Sequence, residues 1–252
     1  GYSAGYANVD GYNTWVGHDS GRYTGHAAAN TTLGYRTYKS GSFFDGTCDL
    51  NGTTTITCDS SADIAVGQSV HASGIPYGAY ITAVNVSGAV TSFTINEAAT
   101  TTASNQTLTF YKGTGDSNTC IGYLAGEDLT TGHSNVLVGR DAGKEFTSNF
   151  GNIAIGNNAM DSANGGENYN VAIGYNALST ETSGADYCVA IGYEALGSQN
   201  DNVKNTAIGG LAGDAITTSG GNTLVGYLAG SALDTSANGQ FNTVLGDQAM
   251  AR

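Results

Sequence analysis

The chain has 252 residues, with 38 glycines, a single proline and a formal net charge of -13 at pH 7. Its 8 Lys and Arg residues form no cluster of the kind that binding to nucleic acid or to an anionic membrane surface requires, so neither partner is expected. No apolar run approaches the roughly 18 residues of a membrane-spanning segment, which excludes membrane insertion through a helix.

A repeated motif, Asn-(Thr/Val)-x-(Ile/Val/Leu)-Gly-x-x-Ala, runs through most of the chain. The spacing between neighbouring starts is 17, 18 or 20 residues, except for one gap of 88, and the opening residues 1–5 fit the tail of a further repeat. A period of about 17 predicts an all-β fold, a parallel β-roll or β-solenoid whose coils pair their backbones with the coil on either side. The motif starts at Asn13, Asn30, Asn118, Asn135, Asn152, Asn170, Cys188, Asn205, Asn222 and Asn242.

The second to fourth positions of each repeat predict a short strand. The second position is always β-branched and the fourth always aliphatic, and residues two apart in a strand share a face. We therefore predict that these two positions point into the coil, with Ile155, Ile173, Ile191 and Ile208 forming one buried column. The third position, often alanine, would then point outward and allow another chain to approach closely.

Two further columns are predicted to be structural. The glycine at the fifth position suggests a corner with positive φ or a contact too close for a Cβ atom. The asparagine at the first position could bind a ligand or metal, but amides that hydrogen-bond from coil to coil are the favoured interpretation. The glycines are Gly122, Gly139, Gly156, Gly174, Gly192, Gly209 and Gly226, and the asparagines are Asn118, Asn135, Asn152, Asn170, Asn205 and Asn222.

Tyrosine recurs at the sixth position, at Tyr2, Tyr35, Tyr123, Tyr175, Tyr193 and Tyr227. Such a stripe could be an aromatic track for glycans, although packing between coils or chains is the favoured interpretation. All variation in repeat length falls after the eighth position, in polar arcs such as 130–133, 161–164 and 234–237, which we expect to face solvent.

The gap of 88 contains an insertion of about 71 residues, since one period of 17 belongs to the repeat itself. The predicted organisation is solenoid coils at 1–40, an inserted domain at 41–113 and eight coils at 114–252. Short strands at 53–57, 80–84, 92–95 and 107–110 predict a small β-sandwich. Because the insertion must project sideways, its residues His71, Tyr77 and Tyr80 are candidate receptor contacts, with ordinary packing as the alternative. Cys48 and Cys58 could form a disulfide in an oxidising compartment.

Motifs for catalysis, metals and cofactors are not found in the sequence. There is no C-x-x-C pair and no phosphate-binding loop, and the one Gly-x-Ser-x-Gly match, at residues 1–5, falls in the tail of a repeat rather than in a nucleophile elbow. The acidic residues fall in the variable arcs without a phase-locked pair, which indicates solvated surface. We therefore expect no enzyme, no metal site and no cofactor. The acidic residues concerned are Glu127, Asp128, Asp141, Glu145, Asp186, Asp201 and Asp214.

The segments Asn170-Val171-Ala172-Ile173-Gly174-Tyr175-Asn176-Ala177 and 205–209 resemble the NxAIGxxA repeats of trimeric autotransporter adhesin heads, and similar repeats occur in bacteriophage tail fibres. The resemblance covers residues 1–40 and 114–252, although the period of 17 is longer than that of the adhesins. It implies a left-handed β-roll, three chains around one axis, and surface attachment.

The resulting hypothesis is an extracellular homotrimeric fibre or adhesin segment, on a virion tail fibre or a cell surface. Its partners would be further copies of itself and a cell-surface glycan or protein receptor. Two alternatives remain: a polysaccharide-cleaving tailspike whose active site lies between chains, and a purely structural extracellular filament subunit.

Overall fold

The computed structural model describes residues 1–6, 8, 11–22, 24, 27–38, 42–59, 64–76, 78–87, 90–111, 113–164, 166–181, 185–201, 204–233 and 239–251. All of its named elements are strands, as predicted, and no helix within these ranges could cross a membrane. The strands are β1 (Thr14–Val16), β2 (Thr31–Leu33), β3 (Ser42–Asn51), β4 (Thr55–Asp59), β5 (Ser69–His71), β6 (Ile81–Ser87), β7 (Val90–Ile95), β8 (Thr102–Tyr111), β9 (Thr119–Ile121), β10 (Val136–Val138), β11 (Ile153–Ile155), β12 (Val171–Ile173), β13 (Val189–Ile191), β14 (Thr206–Ile208), β15 (Thr223–Val225) and β16 (Thr243–Leu245).

Ten three-residue strands form one parallel sheet along the solenoid, in the order β1-β2-β9-β10-β11-β12-β13-β14-β15-β16. Each strand pairs with the next at the same position of the repeat; for example, Ile155 lies opposite Ile173, and Ile173 opposite Ile191. The predicted solenoid of 17-residue coils and the in-register isoleucine column are thus confirmed.

The insertion does not interrupt this stack. β2 pairs directly with β9, with Thr31 opposite Thr119, although 88 residues separate the two positions. On the near side of the insertion, the Tyr38 backbone N–H donates to the carbonyl of Ala125, and its hydroxyl donates to the carbonyl of Gly115. The inserted domain therefore leaves and re-enters the arc of a single coil, and the coils on either side remain neighbours.

The predicted orientation of the strands is wrong. The third position is the buried one, since Ala154, Ala172, Ala190 and Ala207 have no exposed surface. The second and fourth positions point outward and are partly or well exposed, and the exposed fraction of Ile208 is 39%. The isoleucine column is continuous, but it lies on the outside of the coil.

The physical reason is that each strand sends only one side chain inward, where residues from the arc of the same coil already fill the space. In most coils the ninth position is small where the third is large and large where the third is small, and the twelfth position supplies further buried side chains such as Phe146 and Ile216. In one coil Leu137 packs over Gly143, where a Cβ atom would lie 2.8 Å from the leucine Cδ2. In the next coil a small Ala154 is matched by a large Met160 at the ninth position.

The corner glycines meet both of the requirements predicted for them. Gly174 has a φ of 141°, and a Cβ atom built on it would lie 2.2 Å from the carbonyl oxygen of Gly192 in the next coil. Gly156 and Gly192 repeat this arrangement. A side chain at this position would therefore force neighbouring coils apart.

The inserted domain is a single antiparallel sheet of six strands, in the order β5-β8-β3-β4-β7-β6. The sheet closes on itself, because Ser69 bridges Tyr80 and the Ile81 N–H donates to the carbonyl of Gln68 at 2.9 Å. It is thus a small barrel rather than the expected pair of stacked sheets. Register shifts in β3 on either side of Cys48 bend this long strand and so help the sheet to curl.

The barrel has its own hydrophobic core, separate from that of the solenoid. Phe93 and Phe110 pack edge to face at 5.5 Å between ring centroids. Cys48 and Cys58, on the neighbouring strands β3 and β4, are joined by the disulfide that the sequence suggested. The four strands expected from the sequence correspond to β4, β6, β7 and β8, whereas β3 and β5 were missed.

Replacing Gly174 with alanine tests the corner constraint. We expect the free energy of unfolding to fall by roughly 1–3 kcal/mol, because alanine would have to adopt a φ that only glycine adopts readily. The clash of the added Cβ atom with the Gly192 carbonyl should lower it further. Gly11→Ala is the matched control, because no atom lies within 4 Å of its added Cβ. Chemical denaturation of both variants measures the effect, and equal stabilities would contradict the proposed corner.

Candidate functional site

The asparagine column ties the coils together through three kinds of hydrogen bond. The Asn152 side chain donates through Nδ2 to the carbonyl of Glu167 at 2.9 Å, which closes its own coil. It also donates to Asn135 Oδ1 in the preceding coil, and its own Oδ1 accepts from the backbone N–H of Asn170 in the following coil at 2.9 Å. The side chain is completely buried. The predicted coil-to-coil hydrogen bonds are present, and they occupy the amide that a ligand would need.

Cys188 replaces asparagine in this column, and a second residue compensates for the missing amide. The Cys188 backbone N–H still donates to Asn170 Oδ1 at 2.8 Å. Gln199, from the arc of the same coil, donates through Nε2 to the Cys188 sulfur at 3.1 Å and accepts at Oε1 from Asn205 Nδ2 at 2.9 Å. Burial raises the pKa of the Cys188 thiol, and also that of Cys120, so both free cysteines are neutral at physiological pH.

The outward strand face, made of the second and fourth positions of the repeat, is an extended uncharged surface. None of the ten strands contains a charged residue, although the chain as a whole carries a net charge of -13. The aliphatic side chains are well exposed at its ends, at 49% for Val16 and 76% for Leu245. Continuous exposed apolar surface of this kind is characteristic of an interaction site.

An aromatic column runs along one side of this face, at the sixth position. Tyr35 stacks on Tyr123 with their ring centroids 5.3 Å apart, His18 stacks on Tyr35 at the same spacing, and Tyr175 stacks on Tyr193 at 5.6 Å. The packing role predicted for these tyrosines is therefore confirmed at these contacts. The rings nevertheless remain about half exposed, as at Tyr193.

A second aromatic column borders the other side of the strand face. His133 stacks on Phe150 at 5.0 Å, Phe150 packs edge to face against Tyr169 at 5.1 Å, and Tyr169 stacks on Tyr187 at 5.2 Å. Sequence reasoning missed this column, because its members lie two residues before the asparagine in some coils and one before it in others. The outward strand face is thus flanked by aromatic side chains on both sides.

The structure describes two of the three candidate receptor contacts of the insertion. His71 is exposed on β5, and Tyr80 is half-buried at the bridge with Ser69 that closes the barrel. The register of that bridge places His71 and Tyr80 near each other across the seam, at diagonal positions. Tyr77 lies outside the described residues.

A metal site is not supported by the residues that the structure describes. The one group there with three possible ligands consists of Asp45, Cys48 and Cys58. The two cysteines form a disulfide, so they cannot supply the thiolates that a zinc ion would bind.

The acidic arcs are only partly solvated, which corrects the prediction for Glu127. Its carboxylate is buried and forms an ion pair with Arg36 of the preceding coil. Two further glutamates, Glu167 and Glu181, are completely buried inside the arcs, and Glu167 accepts a hydrogen bond from Asn149 Nδ2 at 2.6 Å. Burial, together with the nearby carboxylates of Glu145 and Asp141, raises the pKa of Asp161 to about 6.

A cavity of about 270 Å³ lies on the same side of the solenoid as the tyrosine column, across three successive coils. Two carboxylates, Glu194 and Asp214, and the amide of Asn176 line it together with the hydroxyl residues Ser179, Thr180 and Ser198. The Tyr193 hydroxyl donates a hydrogen bond to Glu194, which raises the pKa of the tyrosine. Sequence analysis did not anticipate this cavity, because its polar residues come from the seventh, tenth and eleventh positions of different coils.

Comparison of the chain with protein-family models, with curated proteins and with solved structures gives no match. The basis for a functional proposal is therefore the set of surfaces just described: the outward strand face with its aromatic borders, the projecting barrel and the polar cavity.

The raised pKa of Asp161 predicts that the contribution of this carboxyl group to stability falls as the pH rises from about 4 to about 6. In this interval the unfolded chain has released a proton that the folded protein still holds, so stability falls as the pH rises and the full cost is present above pH 6. Asp161→Asn should raise the thermal midpoint at pH 7 and flatten this dependence. The exposed Asp128→Asn is the control, and thermal melts from pH 4 to pH 7 measure both. An unchanged slope in the Asp161 variant would contradict the prediction.

Proposed function

We propose that this chain is a segment of an extracellular fibre or adhesin, in which three solenoids associate through their outward strand faces and the inserted barrel contacts a receptor. A bacteriophage tail fibre is the favoured setting, with a bacterial surface adhesin as the second. The observation that carries the proposal is the uncharged face, with a continuous column of aliphatic side chains, that runs along all ten strands of the parallel sheet in a strongly anionic chain.

Self-association through this face is favoured by its composition. Bringing together chains of charge -13 costs electrostatic energy, and this cost is smallest where the contacting surface carries no charge. Burying isoleucine, valine and leucine side chains contributes roughly 25 cal/mol per Å², and the same contribution recurs at every coil. The aromatic columns on either side add large side chains of the kind that is enriched at interfaces.

The barrel is the part best placed for attachment. It branches from the arc of one coil while the coils above and below remain hydrogen-bonded to each other, so the stack of coils continues past it. Its exposed surface is rich in threonine and asparagine, for example at Thr53, Thr55 and Asn85, and it carries a few acidic residues such as Asp49 and Glu97. Such a surface suits hydrogen bonding to a glycan or to a protein receptor.

The assembly is tested by placing charge on the outward strand face. Ile173→Glu combined with Ile191→Glu should convert a trimer of 25.5 kDa chains into monomers, because the carboxylates would face one another without water. The control adds the same charge to exposed arc positions, as Thr131→Glu with Thr218→Glu. Native mass spectrometry measures the number of chains in each assembled particle. A monomeric wild-type chain, or a trimer that survives the isoleucine changes, would be inconsistent with the proposal.

The attachment role is tested by removing the insertion. Deletion of residues 42–112 removes 71 of the 88 residues between Asn30 and Asn118 and so leaves a coil of the ordinary 17 residues. We expect the shortened protein to assemble as before but to lose binding to cells. Fluorescently labelled protein, applied to a panel of bacterial and animal cells, measures attachment, and equal binding by both forms would exclude the barrel as the receptor-binding part.

The same preparation distinguishes the two alternatives. Release of reducing ends from bacterial capsular polysaccharide would favour the cleaving tailspike. Continuous filaments of unlimited length in electron micrographs, in place of discrete particles, would favour the structural filament.

A further inference from the structure

The tyrosine column has a gap at Gly210. The sixth position holds Tyr175 and Tyr193 in two successive coils, glycine in the third and Tyr227 in the fourth. Backbone hydrogen bonds keep these coils in register, since the carbonyl of Tyr193 accepts from the Leu211 N–H at 2.7 Å and that of Gly210 from the Leu228 N–H at 2.9 Å. The backbones of Tyr193 and Tyr227 are therefore two coil spacings apart, about 9.5 Å, and the glycine between them carries no side chain.

The glycine is not required by the backbone. Gly210 is outside the region of positive φ, and a Cβ atom built on it would lie at an ordinary 3.5 Å from Tyr227 Cδ2. The corner glycine next to it, Gly209, differs in both respects, with a φ of 138° and a backbone clash at 2.2 Å. The sixth position of this coil could thus hold a tyrosine like its neighbours, and its glycine leaves a slot between two half-exposed rings.

The slot adjoins the polar cavity. Glu194, which follows Tyr193 and accepts a hydrogen bond from its hydroxyl, lines that cavity together with Asp214 from the coil of Gly210. Asn176 also lines it, and its Oδ1 already accepts from Asn158 Nδ2 at 3.2 Å, so what Asn176 can offer in the cavity is its amide N–H donors. The arrangement therefore combines aromatic surface with carboxylate acceptors and an amide donor within three coils.

We propose that the slot at Gly210 and the adjoining cavity form a binding site for a neutral sugar ring. A pyranose has a face of C–H groups that packs on an aromatic ring and a rim of hydroxyl groups that donate to carboxylates, and a site of this kind combines apolar rings with a few placed polar groups. The backbones that carry the two tyrosines are about 9.5 Å apart, twice the spacing of directly stacked neighbours, which leaves room for one non-aromatic ring between the side chains.

The charges of the site select the class of sugar. Glu194 and Asp214 accept hydrogen bonds from hydroxyl groups but repel the carboxylate of a sialic or uronic acid, and the net charge of -13 adds to this repulsion. Neutral hexose oligosaccharides are therefore the expected ligands. The inference goes beyond the proposed function, since it requires neither the barrel nor attachment to a cell.

The test is titration calorimetry of the full-length assembled protein with neutral tetrasaccharides of glucose, galactose, mannose and N-acetylglucosamine, and with a sialylated tetrasaccharide. We expect at least one neutral sugar to bind and the sialylated one to bind more weakly. Tyr193→Ala and Gly210→Tyr should each weaken binding at least tenfold, the first by removing a platform and the second by filling the slot.

Two controls make the same chemical changes elsewhere. Tyr12→Ala removes a tyrosine whose exposed fraction is 96%, and Gly11→Tyr adds a ring to a glycine with open space around it; both should stay within twofold of the wild type. The inference is overturned if no neutral tetrasaccharide binds at 10 mM, if Gly210→Tyr binds as tightly as the wild type, or if the sialylated sugar binds best. Because the titration uses free sugar, its failure is separate from a failure of the attachment assay.

Discussion

In-register pairing between successive coils is the constraint on which the rest of this structure depends. A peptide group in one coil meets the same peptide group of the next, so any residue required at a corner is required in every coil. The glycine at the fifth position follows directly, because its Cα faces the backbone of the glycine one coil away. The asparagine at the first position follows as well, because its one amide closes a coil and holds the next. Length can vary only where this pairing ends, which explains why a whole barrel could be inserted in one arc.

The periodic part of the fold could be predicted from the sequence, but the orientation of its strands could not. Alternation shows that the third position of each repeat faces away from the second and fourth, and it does not show which side is inside. Hydrophobicity alone favours the wrong side, since isoleucine is more apolar than alanine. The deciding information is the size relation between distant positions, such as Leu137 with Gly143 and Ala154 with Met160. The size relation shows which face of the strand points inward only when the third and ninth residues of the same coil are compared.

The inserted barrel shows a different limit. Its central strands alternate clearly and were found, whereas β5 has only three residues and β3 contains irregular pairing on both sides of Cys48. Closure of the sheet depends on the short Ser69–His71 strand, which no alternation could reveal. The position of the candidate contacts His71 and Tyr80 at the closing seam is a consequence of that missed strand. The polar cavity could not be predicted from the sequence either, because three coils contribute residues to it from different positions of the repeat.

Departures from a repeat carry different meanings according to whether the structure compensates for them. Cys188 breaks the asparagine column, but Gln199 supplies an amide in the same place, and the pair restores the hydrogen bonds that the fold needs. Gly210 breaks the tyrosine column without a compensating side chain and without a backbone requirement for glycine. A stacked fold stabilises itself by repeating favourable contacts, so an uncompensated gap gives up the ring-on-ring packing that its neighbours make. That loss of packing, beside a cavity lined by carboxylates, is the reason for assigning the gap to a ligand rather than to the fold.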